Sequence, residues 1–576
     1  MHLNNKKIVV IETLFINCII YTMDLNNSVY EAMGVSKGKI VFIGSNNEAI
    51  NILDENTKII DLGHKTVIPG FIDTYMKISE NMIMRKYDLN LFNCKNVEEY
   101  LDTINQYIYK NSYREVIYGS GWNYNKFFNY NNSYKGPNKK LLNDISSDKA
   151  IVLRDITGSA LWINDKAFER FGINKNTISP VGGIIELDEN GELWGILKGN
   201  AVHLVNIKEI VEYRDKDYFN GFIKLQDKLH SYGITSIGLV RDKLLDMPLD
   251  IYRLLEIKDK LKLRVYYGTN IFPHEVGHKT IYEQLHELKR LKIIYKGKYF
   301  DITRACFQAD GSIKMHNAFL FKPYMDNEKS DKEYLGRFMW DLLEFKEGIK
   351  MANRLDFNVS IEAQGDNACK VSIDGIEYSQ KNNNDNKCRN SIVNLDLITK
   401  YYIRRMKLLG ISAIIHPFWY YQSIDDTRKE YESIGEGRIQ RLYPYKSLID
   451  NSIVTGASSE YYIEDCLNPI KGIWCAVTRN LYDFKNNSNM KKDLIIEPNY
   501  RLNPTERVNI LEAVRSVTIN SAYILGKEKE VGSLELGKNA DFIVLDKNIF
   551  ESNQEEISNI SVYRTYFEGK LVYIKE

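Results

Sequence analysis

Short apolar runs with β-type spacing open the chain. Lys7 to Val10, Leu14 to Tyr21, Glu31 to Val35 and Lys39 to Ile43 are separated by turn-forming pairs such as Asn26-Asn27 and Lys37-Gly38. Four such runs in about sixty residues predict a small antiparallel sheet. Ala540 to Leu545, Ser561 to Phe567 and Lys570 to Ile574 form a matching set at the far end. Neither set can cover its apolar face alone, so the two are expected to pair across the length of the chain. Between them the period changes. Strand-like runs (Gly233 to Ile237, Leu263 to Gly268, Asn358 to Ala363, Ile411 to Ile415, Ile453 to Gly456) alternate with amphipathic helical stretches (Asp217 to Tyr232, Ile281 to Leu291, Leu395 to Leu409), the pattern of a β/α architecture. The apolar run from Thr66 to Ile72 passes through Pro69-Gly70 and ends in polar residues. It reads as one buried strand whose C-terminal end opens into a site.

Composition narrows the function classes. The 576 residues are 44% hydrophobic, enough for a sizeable core, and their charges balance to +1. That balance gives no reason to expect nucleic acid or an anionic membrane as a partner. No segment reaches the roughly 18 uninterrupted apolar residues of a membrane span, and the N-terminus lacks a cleavage site. Seven scattered cysteines without a C-x-x-C pair point to a reduced, cytoplasmic location. No glycine-rich phosphate cradle occurs. His274-Glu275-Val276-Gly277-His278 matches the zinc-protease H-E-x-x-H, but Pro273 and Gly277 argue against the continuous helix that this chemistry needs.

Several motifs, in order, resemble one family. Pro69-Gly70-Phe71-Ile72-Asp73-Thr74 resembles the first barrel strand of the amidohydrolase superfamily, where it leads into His-x-His. Gly532-Ser533-Leu534-Glu535-Leu536-Gly537-Lys538-Asn539-Ala540-Asp541-Phe542 resembles that family's C-terminal signature. Gly119-Ser120-Gly121-Trp122-Asn123 and Gly182-Gly183-Ile184-Ile185-Glu186 resemble the insert of its amidohydrolase-3 branch, which includes N-substituted formamide deformylase-like proteins. The resemblance implies an α/β fold: a distorted (β/α)8 TIM barrel with an inserted subdomain and a β-sandwich formed from both chain termini. It divides the chain into residues 1–66 (sandwich, first half), 67–523 (barrel, with an insert of about 113–200) and 524–576 (sandwich, second half). The implied activity is hydrolysis of non-peptide carbon–nitrogen bonds in small amide-like substrates, with divalent metal at the barrel mouth activating water. A homodimer follows from family analogy alone.

The positions that hold metal in the family are substituted here. Tyr75 and Lys77 stand in place of the paired histidines. Cys306, four residues before the aspartate of Ala309-Asp310-Gly311-Ser312, stands where a lysine is expected. Glu362 and Asn394 replace the two later histidines, Glu460 replaces the aspartate, and Thr157-Gly158-Ser159 replaces a D-G-H. An ammonium at Lys77 repels a neighbouring cation, and Lys and Asn cannot supply the N/O shell that zinc requires. Metal-dependent hydrolysis is therefore doubtful, and no cofactor is expected. Three readings stay open for Lys77, Glu362 and Glu460. They form a salt-bridge cluster filling a vacated cavity. Alternatively, Lys77 takes over the role of the metal, with Glu362 or Glu460 as general base and Cys306 or Tyr75 as nucleophile or donor. In the third, Glu362 and Glu460 hold a single divalent ion. Tyr75, Asn394, His416 and Trp122 are candidates for contact with substrate, His416 as a titrating group and Trp122, with Phe127 and the Phe418-Trp419-Tyr420-Tyr421 run, as hydrophobic lining. The function is thus either amide hydrolysis or a repurposed, non-catalytic site that binds a small molecule or a partner protein.

Overall fold

The computed structural model describes residues 10–77, 88–124, 126–127, 135–156, 158–210, 213–241, 247–277, 279–325, 333–383, 387–420, 424–460, 464–480 and 502–576. Strands are numbered in chain order. β1 (Thr13–Tyr21), β2 (Val29–Tyr30), β3 (Ala32–Ser36), β4 (Lys39–Gly44) and β5 (Lys58–Pro69) come first, and β6 (Phe71–Lys77) follows directly. The run from Thr66 to Ile72 is therefore two strands in two sheets. Gly70 is the corner: its N–H goes to Asp541 O, while that of Phe71 goes to Gly233 O. A Cβ on Gly70 would fall 2.3 Å from Thr235 Oγ1, so only glycine lets the chain turn there. The run at Lys7 to Val10 lies almost wholly outside the described residues.

A six-stranded sheet takes β7 (Leu89–Asn90), which precedes the expected insert of about 113–200, and from the insert β8 (Val116–Trp122), β9 (Ala150–Asp155), β10 (Ala160–Ile163), β11 (Gly183–Leu187) and β12 (Leu193–Gly199). Then come β13 (Ile234–Val240), β14 (Arg264–Asn270), β15 (Phe300–Gln308), β16 (Asn358–Ala363), β17 (Ser391–Asn394), β18 (Ser412–Ile415) and β19 (Thr455–Ala457). With β6 they form an eight-stranded, all-parallel sheet in the order β19-β18-β17-β16-β15-β14-β13-β6. Helices such as Asp215–Ser231, Ile281–Ile294, Leu342–Arg354 and Asp366–Asn382 alternate with the strands. This is the expected (β/α)8 barrel. The H-E-x-x-H match contributes only a four-residue helix, His274–Gly277, with His274 and Glu275 exposed; His278 lies outside the described residues.

Side chains rather than a strand ladder close the barrel between β19 and β6. Thr74 Oγ1 donates to Ala457 O at 2.9 Å, and the Tyr75 N–H reaches Ser458 Oγ at 3.2 Å. The Ser458 hydroxyl lies 2.6 Å from both Asp73 Oδ1 and Tyr75 O.

The termini pair as expected. β20 (Phe542–Leu545), β21 (Val562–Phe567) and β22 (Lys570–Ile574) join β5 and the N-terminal strands in one continuous sheet, with β20 antiparallel to β5. Phe15 packs edge-on against Phe542 and Tyr566, which stack on each other at 4.5 Å. A buried ion pair fastens this sheet to the barrel: Arg264 of β14 donates from Nε to Asp541 Oδ2 at 2.7 Å and from Nη2 to Glu568 Oε1 at 3.2 Å. Among the described residues no helix is long and apolar enough to cross a membrane.

Removing Asp541 leaves the Arg264 charge buried beside only a peripheral carboxylate. Asp541→Ala is expected to cost about 3–5 kcal/mol of stability, read as a lowered urea midpoint; an unchanged midpoint would show that the ion pair does not fasten the two parts.

Candidate functional site

The C-terminal tips of the barrel strands and one wall of the insert surround a cavity of about 160 Å³. Lys77 is the last residue of β6, Glu362 the penultimate residue of β16, and Asn394 ends β17. His416 follows β18, and Glu460 lies three residues past β19. These five side chains, drawn from separate strands, all line the cavity.

Lys77 Nζ stands 2.9 Å from Glu362 Oε1 and 2.9 Å from Glu460 Oε1, with the three residues at least nine-tenths buried. The Tyr75 hydroxyl donates to Glu362 Oε1 at 2.8 Å from below. His416 Nε2 is 2.8 Å from Asn394 Oδ1 and 3.6 Å from Glu460 Oε2. On the other side of the ring Nδ1 lies 3.4 Å from Ser458 O, so each ring nitrogen faces an acceptor. Burial pushes the His416 pKa down, and the Lys77 charge adds to that against the pull of Glu460. The imidazole is therefore neutral. Asn394 (φ 76°) and Glu460 (φ 49°) both sit in the left-handed region, which is unusual for a glutamate and fixes the aim of its side chain.

Two candidates lie below the cavity. Tyr75 and Cys306 are fully buried and pack with Val240, Val393, Ile414 and Ile524 as the floor of the barrel. Burial pushes the Cys306 pKa up to about 11, which keeps it a thiol and removes the thiolate that a nucleophile needs. Tyr75 touches Glu362 and does not line the cavity. Trp122 lies elsewhere: it is fully buried in the insert core against Phe127 and Trp162, with Nε1 donating to Leu153 O at 2.9 Å. Its neighbours Asn123 and Tyr124 reach the cavity instead. The strand alternation that buries Trp122 was visible in the sequence, but the direction of its face was not.

Other lining residues escaped sequence reasoning. Arg241, Asn270 and Gln308 stand at the tips of β13, β14 and β15 and could have been found from the rule that strand ends face the mouth. Asp396 and Lys314 come from loops, Glu430 from the helix Ile424–Ile434, and Arg154 and Asp155 from the insert, and they carried no such signal. Asp310 has a supporting role. Its carboxyl accepts the N–H groups of Phe319 (2.8 Å), Gln364 (2.9 Å) and Gly365 (2.9 Å), tying the loop after β15 to the start of helix Asp366–Asn382, while burial pushes its pKa up to about 7.

The donor set does not fit a divalent cation. The ammonium of Lys77 occupies the space between the two carboxylates, and an ion placed there would face that charge within about 3 Å. Among the described residues no three His, Cys, Asp or Glu side chains are placed to share a metal. A single ion on Glu362 and Glu460 would have to displace Lys77 from both.

The neutral state of His416 has a pH consequence. Its folded pKa lies below the ordinary value of about 6.5, so the unfolded chain takes up a proton first as pH falls. Stability contributed through this group is intact above about pH 6.5 and declines below it, by at most about 1.4 kcal/mol per pH unit. His416→Gln should make the acid-side decline of the urea midpoint shallower than in the wild type. Parallel profiles would mean that His416 is not held neutral.

Comparison with known proteins agrees with this architecture. The model of the Amidohydrolase family matches residues 58–573. The chain is 23% identical to the N-substituted formamide deformylase of Arthrobacter pascens, covering 98% of both chains. It is 24% identical to the putative amidohydrolase YtcJ of Bacillus subtilis, covering 96% of this chain and 98% of that one. An uncharacterized metal-dependent hydrolase from Pyrococcus horikoshii has the same fold, with a TM-score of 0.69 at 23% identity over 94% of this chain and 99% of that one. This chain belongs to the Amidohydrolase family.

Proposed function

We propose that the barrel mouth binds a small amide-like molecule and that Lys77 performs there the orienting role that a divalent cation has in metal-dependent relatives. One observation carries the reading: the ammonium held 2.9 Å from two carboxylates at the strand tips. A ligand carbonyl that approaches a lysine so placed meets a positive group without a metal. The names of the relatives, a formamide deformylase and a putative amidohydrolase, supply the amide-like class. The cofactor expectation is accordingly that the protein works without zinc.

Family membership favours a second reading, in which cleavage of a carbon–nitrogen bond survives by a metal-free route. Water would then be activated by Glu460 or Glu362, each already paired with Lys77, and the carboxyl that takes the water's proton would pass it to the departing nitrogen, with neutral His416 only hydrogen-bonding at the rim. Cys306 has no part in it, because its thiol is protonated and out of reach of the cavity.

Two measurements test these readings. Elemental analysis of the purified protein should find less than stoichiometric zinc, and binding of small amides, followed by thermal shift, should be insensitive to a chelator. Lys77→Met should abolish that binding. It should also destabilise the fold by roughly 3–5 kcal/mol, since two carboxylates are then left buried without their cation; Lys77→Arg should recover part of the stability. Stoichiometric metal with chelator-sensitive amide cleavage would overturn the proposal. Chelator-resistant cleavage in the same assay would select the second reading over simple binding.

A further inference from the structure

The two sides of the mouth carry opposite charge. Strand order around the barrel places the tip of β13 diametrically across from the tip of β17. Arg241 directly follows β13, Asp396 lies two residues past β17, and both line the cavity.

The wall around Arg241 is cationic. Arg154, only 4% exposed, reaches the cavity from β9, and its Nε and Nη2 donate to Gly158 O at 3.3 Å. A Cβ on Gly158 would fall 2.3 Å from Nη2, so glycine there lets the guanidinium lie against the backbone and face the mouth. Asp155 is the carboxylate on this side, and it accepts the Ala160 N–H at 2.8 Å.

The wall around Asp396 is acidic. Glu362, Glu430 and Glu460 join Asp396 there, against the ammonium groups of Lys77 and Lys314 and the neutral His416. Lys314 Nζ lies 3.7 Å from Glu430 Oε1, and the Tyr443 hydroxyl donates to the same oxygen at 3.0 Å. Desolvation, followed by the charges of Glu430 and Glu460, pushes the Asp396 carboxyl well above the usual carboxylate range. A positive group brought by a ligand relieves that repulsion. The buried indole N–H of Trp419, also in this wall, has no acceptor among the described residues and suits a ligand carbonyl oxygen.

We propose that the mouth selects dipolar amides: small molecules with a carboxylate or similar anion at one end and an ammonium at the other. The anion lies against Arg241 and Arg154, the ammonium against Asp396 and Glu430, and the amide carbonyl between them against Trp419 Nε1. The proposal rests on the amide-like reading of the same site and adds to it the charge at both ends.

Five probes separate the two claims by calorimetry: acetamide (amide alone), N-acetylglycine (amide and anion), glycinamide (amide and cation), glycylglycine (all three) and 4-aminobutanoate (both charges, no amide). Glycylglycine is expected to bind best, with each missing charge costing about tenfold or more in affinity. Arg241→Gln should erase the preference for carboxylate-bearing probes, and Asp396→Asn the preference for ammonium-bearing ones. Unchanged melting of each variant without probe establishes that it is folded, and a variant that melts early is replaced by Arg241→Lys or Asp396→Glu, which should keep the preference. If acetamide binds as tightly as glycylglycine, the charge proposal falls and the amide reading stands. If 4-aminobutanoate matches glycylglycine, the charges are upheld and the amide reading falls. Binding of none of the probes would overturn both.

Discussion

Lys77 Nζ is the only cation in direct contact with both Glu362 and Glu460 among the described residues, at 2.9 Å from each. Both carboxylates are buried, and the ammonium between them offsets the cost of taking their charges out of water. The rest of the mouth is arranged around that contact. Tyr75 caps Glu362 from below with its hydroxyl, and left-handed backbone at Glu460 turns its carboxylate inward. One layer further down, Arg304, 1% exposed, gives its Nη2 hydrogen to Thr74 O at 2.8 Å and lies 5.7 Å from the Tyr75 ring. Charged and polar groups thus alternate along the barrel axis, an arrangement that satisfies each by its neighbour where an apolar plug would otherwise be required.

The fold was largely legible because it is written in periodicity and in glycine and proline positions. Alternating strands and amphipathic helices gave the β/α repeat, and the short runs at the two termini gave the sheet that joins them. The corner at Gly70 was not legible. An apolar run continuous in sequence gives no sign that it changes sheet, and only the close approach of Thr235 shows why it must. At the site, Lys77, Glu362, Asn394, His416 and Glu460 could be placed at the mouth because each sits at the end of a recognisable strand. Tyr75, on β6 with Lys77, and Cys306, on β15, face one layer lower, a difference of depth that motif register does not encode. Trp122 was misplaced for a related reason: the sequence shows which residues share a face of β8 but not which face meets the cavity. The opposing charges of Arg241 and Asp396 were invisible, because they depend on which strands stand across the barrel from each other.

The residues that carry the family resemblance and those that would carry its chemistry are different sets, and this chain separates them. Gly70 turns the corner, Asp73 and Thr74 close the seam with Ser458 and Ala457, Asp310 ties down the loop after β15, and Asp541 fastens the terminal sheet to Arg264. Each of these motif positions is retained, and each acts through hydrogen bonds or packing inside the scaffold. The substituted positions, by contrast, face the mouth or the layer just beneath it. Among the described ones, Lys77, Glu362, Asn394 and Glu460 line the cavity, and Tyr75 takes part in the barrel's seam only through its backbone. A barrel held together in this way tolerates replacement of its mouth, provided the incoming charges pair, and Lys77 with Glu362 and Glu460 meets that condition. Family membership therefore constrains the scaffold closely, while the chemistry has to be argued from the side chains now standing at its rim.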